Sequence, residues 1–150
     1  TAAPAGGVAR AEHPPVTVVA EVKPQMLRPG EAAEVTVTLQ IDEGWHLYGE
    51  NPELDFVIPS RVKLQDAAAF ELGTPELPEA TLRVDALFEQ PLQLYEGDVT
   101  FRIPMKIAPD ATHGRHSLHV EVLTQACDAT RCLAARRHLL EIPVTVVPAK

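Results

Sequence analysis

The chain has 150 residues, of which 45% are hydrophobic and 23% charged, and this is the size of one domain with its own core. The formal net charge of −8, without any cluster of Lys and Arg, argues against nucleic-acid binding. No stretch approaches the roughly 18 apolar residues that cross a bilayer, and the opening TAAPAGGVAR lacks the apolar run of a signal peptide. We expect a flexible N-terminal segment over residues 1–15 and a single domain over residues 16–150.

Short strands with an apolar residue at every second position predict the fold. The chain contains 14 prolines and 8 glycines and shows little helical spacing of apolar residues, which favours an all-β protein. Turn signals separate the strands, and the pattern is typical of an immunoglobulin-like antiparallel β-sandwich. The strands with the clearest alternation are, in chain order, VTVVAEV (16–22), EVTVTLQI (34–41), DVTFRIPMKI (98–107), RHSLHVEVLTQA (115–126) and LLEIPVTVV (139–147).

Two features interrupt this regular pattern. Pro104 lies inside the strand predicted over residues 98–107 and has no N–H to donate, so we expect that strand to lie at a sheet edge or to carry a bulge. Residues 50–94 are less regular and contain several prolines. Long connections on a rigid sandwich are the usual place for binding, and we expect this region to contribute to function.

The stretch before this region contains four consecutive large side chains. Trp45 alternates with Leu47, and we expect Trp45 in the sandwich core. Parity places His46 on the opposite face, as a solvated strand residue or as a group that tunes thiol ionisation. We expect Tyr48 to cover a sheet edge with its hydroxyl in water.

Both cysteines lie in TQACDATRCL (124–133). If Asp128 to Arg131 form a four-residue hairpin loop, Cys127 and Cys132 face each other across two antiparallel strands. Directly opposed residues lie about 4.5–5.5 Å apart at Cα, a range that overlaps what a disulfide accepts.

Parity along the two strands gives the side on which the sulfurs lie. Cys127 has the parity opposite to the inward-facing row that ends at Val122, so its sulfur is expected away from the main core. Counting back from Leu140 gives Cys132 the inward parity. A disulfide therefore requires an irregularity between these residues, and LAARR (133–137) is the expected site.

Three interpretations of the cysteine pair compete. A structural staple across so short a loop contributes only about 2 kcal/mol in the chain-entropy estimate. A metal clip needs two more ligands, and no histidine lies at close zinc-finger spacing, so we expect no metal. Reversible thiol chemistry suits a small, partly exposed loop. Spacing and parity alone leave the staple and the redox centre equally open.

Three motifs add a resemblance to a known family: IDEGWHLYGENP (41–52), LYEGDVTFRIPMKI (94–107) and TQACDATRCL (124–133). In order and spacing, they resemble the N-terminal domain of the thiol:disulfide interchange protein DsbD, over about residues 16–147. The resemblance implies an immunoglobulin-like domain that relays electrons from a thioredoxin-like or transmembrane donor to periplasmic partner proteins. It also implies protein-disulfide reductase activity without a cofactor, an extracytoplasmic location and a place in a longer membrane-anchored chain.

The resemblance also implies roles for individual residues. Cys132 corresponds to the cysteine that forms mixed disulfides, and Cys127 to its resolving partner. Phe88, in DALFEQP, corresponds to a cap-loop phenylalanine that shields the pair. Tyr48 matches one of two family tyrosines beneath the cap, and His46 occupies the position of the other.

The chain also departs from the family pattern. Thr124 stands where a tyrosine is common, and Ala134 and Ala135 stand where prolines follow the second cysteine. Ala86 and Leu87 replace acidic residues before the cap phenylalanine, with Asp85 just upstream. The alternative function is an immunoglobulin-like binding or adhesion module in which the disulfide is inert and residues 50–94 contact a ligand.

Overall fold

The computed structural model describes residues 6–65 and 68–149. These residues form β-strands and no helix, which confirms the all-β prediction. No helix in this part of the chain is therefore available to cross a membrane. The strands are β1 (Val8–His13), β2 (Val16–Lys23), β3 (Met26–Leu27), β4 (Ala32–Ile41), β5 (Leu47–Tyr48), β6 (Arg61–Gln65), β7 (Phe70–Leu72), β8 (Thr81–Asp85), β9 (Gln90–Tyr95), β10 (Asp98–Ile107), β11 (Gly114–Thr124) and β12 (Arg136–Val146).

Two large sheets form the sandwich, and a third, smaller sheet accompanies them. The larger sheet has the order β1-β2-β4-β10-β7, and the facing sheet has the order β3-β12-β11-β6. Neighbouring strands are antiparallel except for β3 and β12, which are parallel. A third sheet, β5-β9-β8, is built from the irregular region and carries part of the candidate site.

The main core lies between the inward rows of the two large sheets. Every second residue of each long strand is buried, as the alternation predicts, because successive side chains of a strand point to opposite faces. The rows belong to one contiguous apolar cluster. The fully or almost fully buried members from β2, β4, β10, β11 and β12 include Val18, Val22, Val35, Val37, Leu39, Phe101, Ile103, Ile107, Leu118, Val120, Val122, Ile142, Val144 and Val146.

The position of Pro104 differs from the expectation. The register between β10 and β4 runs without interruption through Pro104↔Glu34, so β10 carries no bulge there, and β10 lies between β4 and β7 rather than at the edge. The proline is tolerated because β7 pairs only as far as Met105, and at Pro104 the backbone only has to accept a hydrogen bond, from the Gly73 N–H at 2.7 Å. A Cβ on Gly73 would lie 2.8 Å from the Pro104 ring, so this close approach requires glycine.

The N-terminal segment also differs from the expectation of a flexible stretch over residues 1–15. Val8–His13 forms β1 and pairs with β2 over its whole length, from Val8↔Glu21 to His13↔Val16. Alternation did not reveal this strand because its inward side chains are the small Ala9 and Ala11, which pack against the main core. Residues 1–5 lie outside the described residues.

His138 is buried, although the scatter of histidines in the sequence favours surface positions. Its side chain closes one end of the β12 inward row, and its Nε2 shares a hydrogen bond with Thr124 Oγ1 at 2.9 Å. Burial, helped by the positive charges of His13 and Arg136, lowers the pKa of His138 to about 4. The folded protein therefore holds this imidazole neutral at any pH above that value.

This neutral histidine predicts a loss of stability in mild acid. The unfolded chain binds the proton more strongly, so the free energy of unfolding should fall as pH drops from about 6.5 towards 4, by about 3 kcal/mol from this group. Urea titrations at pH 7 and pH 4.5 check the effect. A His138→Gln variant is the control, because its carboxylates lose the same stability in acid as those of the wild type. The variant should therefore lose less stability than the wild type between the two pH values. Equal losses would contradict the assignment to His138.

Candidate redox-active site

The two cysteines form a disulfide at the tip of the β11–β12 hairpin. Their Cα atoms lie 4.0 Å apart, across the four-residue loop that the sequence predicts. Asp128 fixes this loop: its N–H donates to the Arg131 carbonyl at 2.9 Å, and its Oδ1 accepts the N–H groups of Thr130 and Arg131. These backbone hydrogen bonds lower the pKa of the Asp128 carboxyl.

The irregularity predicted between Cys132 and Leu140 is present. The long ladder of the hairpin ends at Thr124↔Arg136, and the next pair towards the tip is Cys127↔Cys132. Two residues on the incoming side, 125–126, therefore oppose three on the outgoing side, 133–135. This surplus residue is a β-bulge, and it brings the second cysteine to the same face as the first.

Burial distinguishes the two cysteines. Cys127 is fully buried, whereas Cys132 is partly exposed. As parity predicts, Cys127 does not belong to the main core. It lies in a second apolar cluster, here called the cysteine cluster, whose buried members are Tyr48, Val57, Leu92, Leu94 and Cys127 and against which Leu54, Phe88 and Cys132 pack.

The backbone of Cys127 is paired on its other side with His46. The His46 N–H donates to the Cys127 carbonyl at 2.9 Å, and the Cys127 N–H donates to the His46 carbonyl at 3.0 Å. His46 is thus the direct cross-strand neighbour of Cys127. His46 is only 8% exposed, so the expectation of a solvated strand residue is wrong.

A buried hydrogen-bonded triad consists of His46, Tyr48 and Asp85. The Tyr48 hydroxyl donates to Asp85 Oδ2 at 2.8 Å, and His46 Nε2 lies 3.1 Å from both that carboxylate oxygen and the Tyr48 hydroxyl. We expected the Tyr48 hydroxyl to lie in water. Tyr48 is instead fully buried, and its hydroxyl donates to a carboxylate. Asp85 is the acidic group that makes this burial possible.

Ionisation within the triad follows from burial and hydrogen bonding. Burial lowers the pKa of His46, against the attraction of Asp85. Burial also acts to raise the pKa of Asp85, but hydrogen bonds from Phe88, Tyr48 and Leu87 outweigh it and leave that pKa below its usual value. The pKa of Tyr48 is raised, first by burial and then by Asp85. At neutral pH the triad therefore holds one negative charge, on Asp85.

Asp85 also anchors the loop that carries Phe88. Its Oδ1 accepts the N–H groups of Leu87 and Phe88 at 2.8 and 2.9 Å, and its carbonyl accepts the Glu89 N–H at 2.7 Å. The turn closes with Glu89 in the left-handed region, at φ 57°. Phe88 consequently packs against the cysteine cluster, with its ring centroid 6.3 Å from that of Tyr48.

Comparison with known proteins identifies the family of this site. The family model for the N-terminal part of the thiol:disulfide interchange protein DsbD matches residues 13–143. The chain belongs to this family. A comparison with curated proteins by sequence gives no match.

Solved structures agree on the fold of this DsbD-family domain. The N-terminal periplasmic domain of ScsB from Proteus mirabilis has a TM-score of 0.66 at 12% identity, and the match covers 92% of this chain but 51% of that one, so the chain spans about half of its length. The DsbD n-terminal domain of Neisseria meningitidis in the reduced form has a TM-score of 0.53 at 14% identity, and the match covers 93% of this chain and 86% of that one. The GAE domain of GGA2p from Saccharomyces cerevisiae has a TM-score of 0.52 at 8% identity, and the match covers 91% of this chain and 99% of that one. The DsbD-type likeness confirms the immunoglobulin-like sandwich.

In this DsbD-family domain, Trp45 lies beside the hairpin tip. It is half-buried and packs against the main core from outside, so it does not fill the sandwich core as expected. Its other contact is with Arg131, whose guanidinium carbon lies 5.7 Å from the ring centroid. Arg131 also lies 3.8 Å from Asp128, so both partners hold this loop residue next to Cys132.

The structure brings together every site residue expected from the sequence: Cys127, Cys132, Phe88, Tyr48 and His46. Sequence reasoning missed the central role of Asp85, although an aspartate at the start of a short turn is a signal for side-chain capping of the following N–H groups. It also missed Phe56, whose ring centroid lies 4.9 Å from that of Phe88. No periodic pattern in residues 50–60 indicates that contact.

Removing the Phe88 ring should expose the sulfurs. We expect Phe88→Ala to increase the alkylation rate of the reduced cysteines by about tenfold, because the ring excludes reagent from the cysteine cluster. The rate is measured with iodoacetamide under reducing conditions. Leu139→Ala, which removes an exposed side chain on β12, is the matched control. Equal rates in all three proteins would show that Phe88 is not a shield.

Proposed function

We propose that this domain is a thiol:disulfide interchange module that acts through a reversible Cys127–Cys132 disulfide. One observation carries the proposal: the disulfide lies at a hairpin tip, where Cys132 is partly exposed and Cys127 is buried in the cluster against which Phe88 packs. An exposed sulfur can meet a partner, and a buried one can complete the exchange without competing for that partner. Membership of the DsbD N-terminal family supports the same chemistry.

In the reduced state the exchange proceeds in two steps. The Cys132 thiolate attacks one sulfur of a partner disulfide, a mixed disulfide forms, and the other partner sulfur leaves with the electron pair and takes a proton. The Cys127 thiolate then attacks the Cys132 sulfur. The second partner thiol is released and the Cys127–Cys132 bond forms, so that two electrons pass to the partner. A dithiol donor restores the reduced domain by the reverse sequence.

The buried triad supports the second step. Cys127 has to lose its proton inside an apolar cluster, where a charged group is poorly solvated. His46 is its cross-strand neighbour and is neutral because burial lowers its pKa. His46 is therefore the basic group beside Cys127, with Asp85 stabilising the positive charge that the imidazole gains on accepting a proton.

The proposed setting follows from the family. We infer that the domain works as a protein-disulfide reductase in an extracytoplasmic compartment such as the periplasm. Its donor is a thioredoxin-like or transmembrane domain, and its acceptors are periplasmic thiol proteins. The ScsB structure is described as an N-terminal periplasmic domain, which supports this location.

A redox titration tests the proposed function. The domain is equilibrated in a series of thiol–disulfide buffers, quenched with a thiol reagent and resolved by gel shift. A working relay should have a reduction potential in the range of known oxidoreductases, about −120 to −270 mV. A potential below about −300 mV would instead indicate an inert structural disulfide and favour the binding or adhesion module.

A further inference from the structure

Phe88 has a second aromatic neighbour besides Tyr48. Its ring lies closer to Phe56 than to Tyr48, with centroid distances of 4.9 and 6.3 Å. Phe56 is 46% exposed, a large value for a phenylalanine side chain. Phe56 and Phe88, here called the aromatic pair, therefore form one apolar surface at the cysteine cluster, against which Phe88 and Cys132 both pack.

The loop that carries Phe56 is fixed at both ends. Residues 49–60 connect β5 to β6. Near the start of this loop, the Asn51 side chain binds β9 twice, as donor to the Gln93 carbonyl and acceptor from the Gln93 N–H. At the other end, the Ser60 N–H donates to the Tyr48 carbonyl at 2.8 Å. Leu54 and Val57 of the same loop pack in the cysteine cluster. The backbone that carries Phe56 is therefore held in place by hydrogen bonds and by apolar packing.

The loop that carries Phe88 is held by hydrogen bonds that converge on one residue. That residue is Asp85, at the end of β8, which is an edge strand of the small sheet. Beyond this anchor, the Phe88 ring is held by packing against the cysteine cluster and against Phe56. Loss of the Phe56 contact therefore removes one of the two packing contacts that keep the ring in place.

Three carboxylates flank the aromatic pair in the sequence. Glu53 and Asp55 precede Phe56, and Glu89 follows Phe88; all three are exposed and form no ion pair within residues 6–65 and 68–149. The arginines at the start of β6 and in β8 are already paired, Arg61 with Glu50 and Arg83 with Glu96. The acidic rim is therefore available to a partner.

We propose that the aromatic pair and its acidic rim are the docking surface for the redox partner, and that Phe56 is the contact a partner replaces to open the cap. This rests on the proposed function. The occupant is a protein whose reactive cysteine lies in an apolar patch bordered by Lys or Arg. Its apolar patch takes over the exposed face of Phe56, Phe88 moves away from the cysteine cluster, and Cys132 meets the partner sulfur.

Two synthetic peptides probe the charge preference. Each carries one cysteine as a mixed disulfide with 2-nitro-5-thiobenzoate, flanked by leucines and then by either two lysines or two glutamates. The Cys132 thiolate attacks the peptide sulfur, and the coloured 2-nitro-5-thiobenzoate leaves with the electron pair. We expect the lysine peptide to react about threefold to tenfold faster at low salt and the two rates to converge in 0.5 M NaCl, at about the ionic strength where screening is nearly complete.

Two triple variants separate the rim from the overall charge. Glu53→Gln, Asp55→Asn and Glu89→Gln together should abolish the preference for the lysine peptide. Glu71→Gln, Asp98→Asn and Asp110→Asn together change the net charge equally at exposed positions elsewhere and should leave the preference intact. Equal loss in both variants, or no preference in wild type, would overturn the docking surface.

The role of Phe56 has its own readout. Phe56→Ala should increase iodoacetamide alkylation of the reduced domain severalfold, and the Phe56→Ala, Phe88→Ala double variant should be no faster than Phe88→Ala alone. Wild-type kinetics in Phe56→Ala, with a folded protein by thermal melting, would contradict the opening mechanism. A reduction potential in the oxidoreductase range combined with these negative results removes the docking surface and leaves the proposed function; a very negative potential removes both.

Discussion

Replacing Cys127 by serine should trap a partner on Cys132, and replacing Cys132 by serine should abolish trapping. In Cys127→Ser the partly exposed Cys132 still attacks a disulfide, but the thiol that resolves the mixed disulfide is absent. In Cys132→Ser the remaining thiol is fully buried in the cysteine cluster. We expect the two variants to differ by about a hundredfold in mixed-disulfide formation, because exchange requires an accessible thiolate.

Mixed disulfides with oxidised glutathione, followed by mass spectrometry, give this comparison directly. The double serine variant sets the background. Faster trapping by Cys132→Ser than by Cys127→Ser would reverse the assigned roles of the two sulfurs. Thermal melting of all three proteins separates loss of reactivity from loss of the fold.

Replacing Asp85 by alanine should have the largest effect on the architecture of the site. The carboxylate is buried and accepts from Tyr48, Leu87 and Phe88 while facing His46, so alanine leaves several buried donors without an acceptor. We expect a loss of about 3 kcal/mol in the free energy of unfolding, because each unsatisfied buried group costs about 1–3 kcal/mol. Urea titration measures the loss.

The matched variant Asp85→Asn separates the role of Asp85 Oδ1, which binds the loop, from that of Oδ2, which binds Tyr48. Asparagine keeps an acceptor for the two loop N–H groups but offers an NH₂ group where the Tyr48 hydroxyl now donates. It should therefore retain slow alkylation of the cysteines while losing part of the stability, whereas Asp85→Ala should lose both. Equal alkylation rates in the two variants would show that Asp85 does not hold the cap.

The sequence predicts the sandwich well because apolar and polar residues alternate along its strands and show which side chains are buried. In β4 the row Val35, Val37, Leu39 alternates with polar residues, and the structure buries that row against the facing sheet. The hairpin loop and the bulge near LAARR were also predictable, since two cysteines and two parity counts constrain the register. β1 was missed because Ala9 and Ala11 produce too weak an alternation.

The site was less predictable than the sandwich. The cysteine cluster joins Tyr48, Val57, Leu92 and Cys127, which are far apart in the sequence and share no period. The burial of His46 and Tyr48 depends on a carboxylate from another strand, and local pattern gives no information on such long-range pairs. Resemblance to the family supplied Phe88, but the contact with Phe56 depends on how two loops meet.

The surplus residue in positions 133–135 makes the hairpin tip modular. On the core side of the bulge, the side chains of β11 and β12 keep the alternation that fills the core. On the tip side, the alternation of the outgoing strand is shifted by one residue, so that both cysteines share a face. A segment spanning 125–135 therefore carries its own correction and could be moved as a cassette onto another antiparallel ribbon without altering the rows beneath it. Insertion or deletion of a single residue in 133–135 would instead turn one sulfur to the opposite face and leave the pair unable to join.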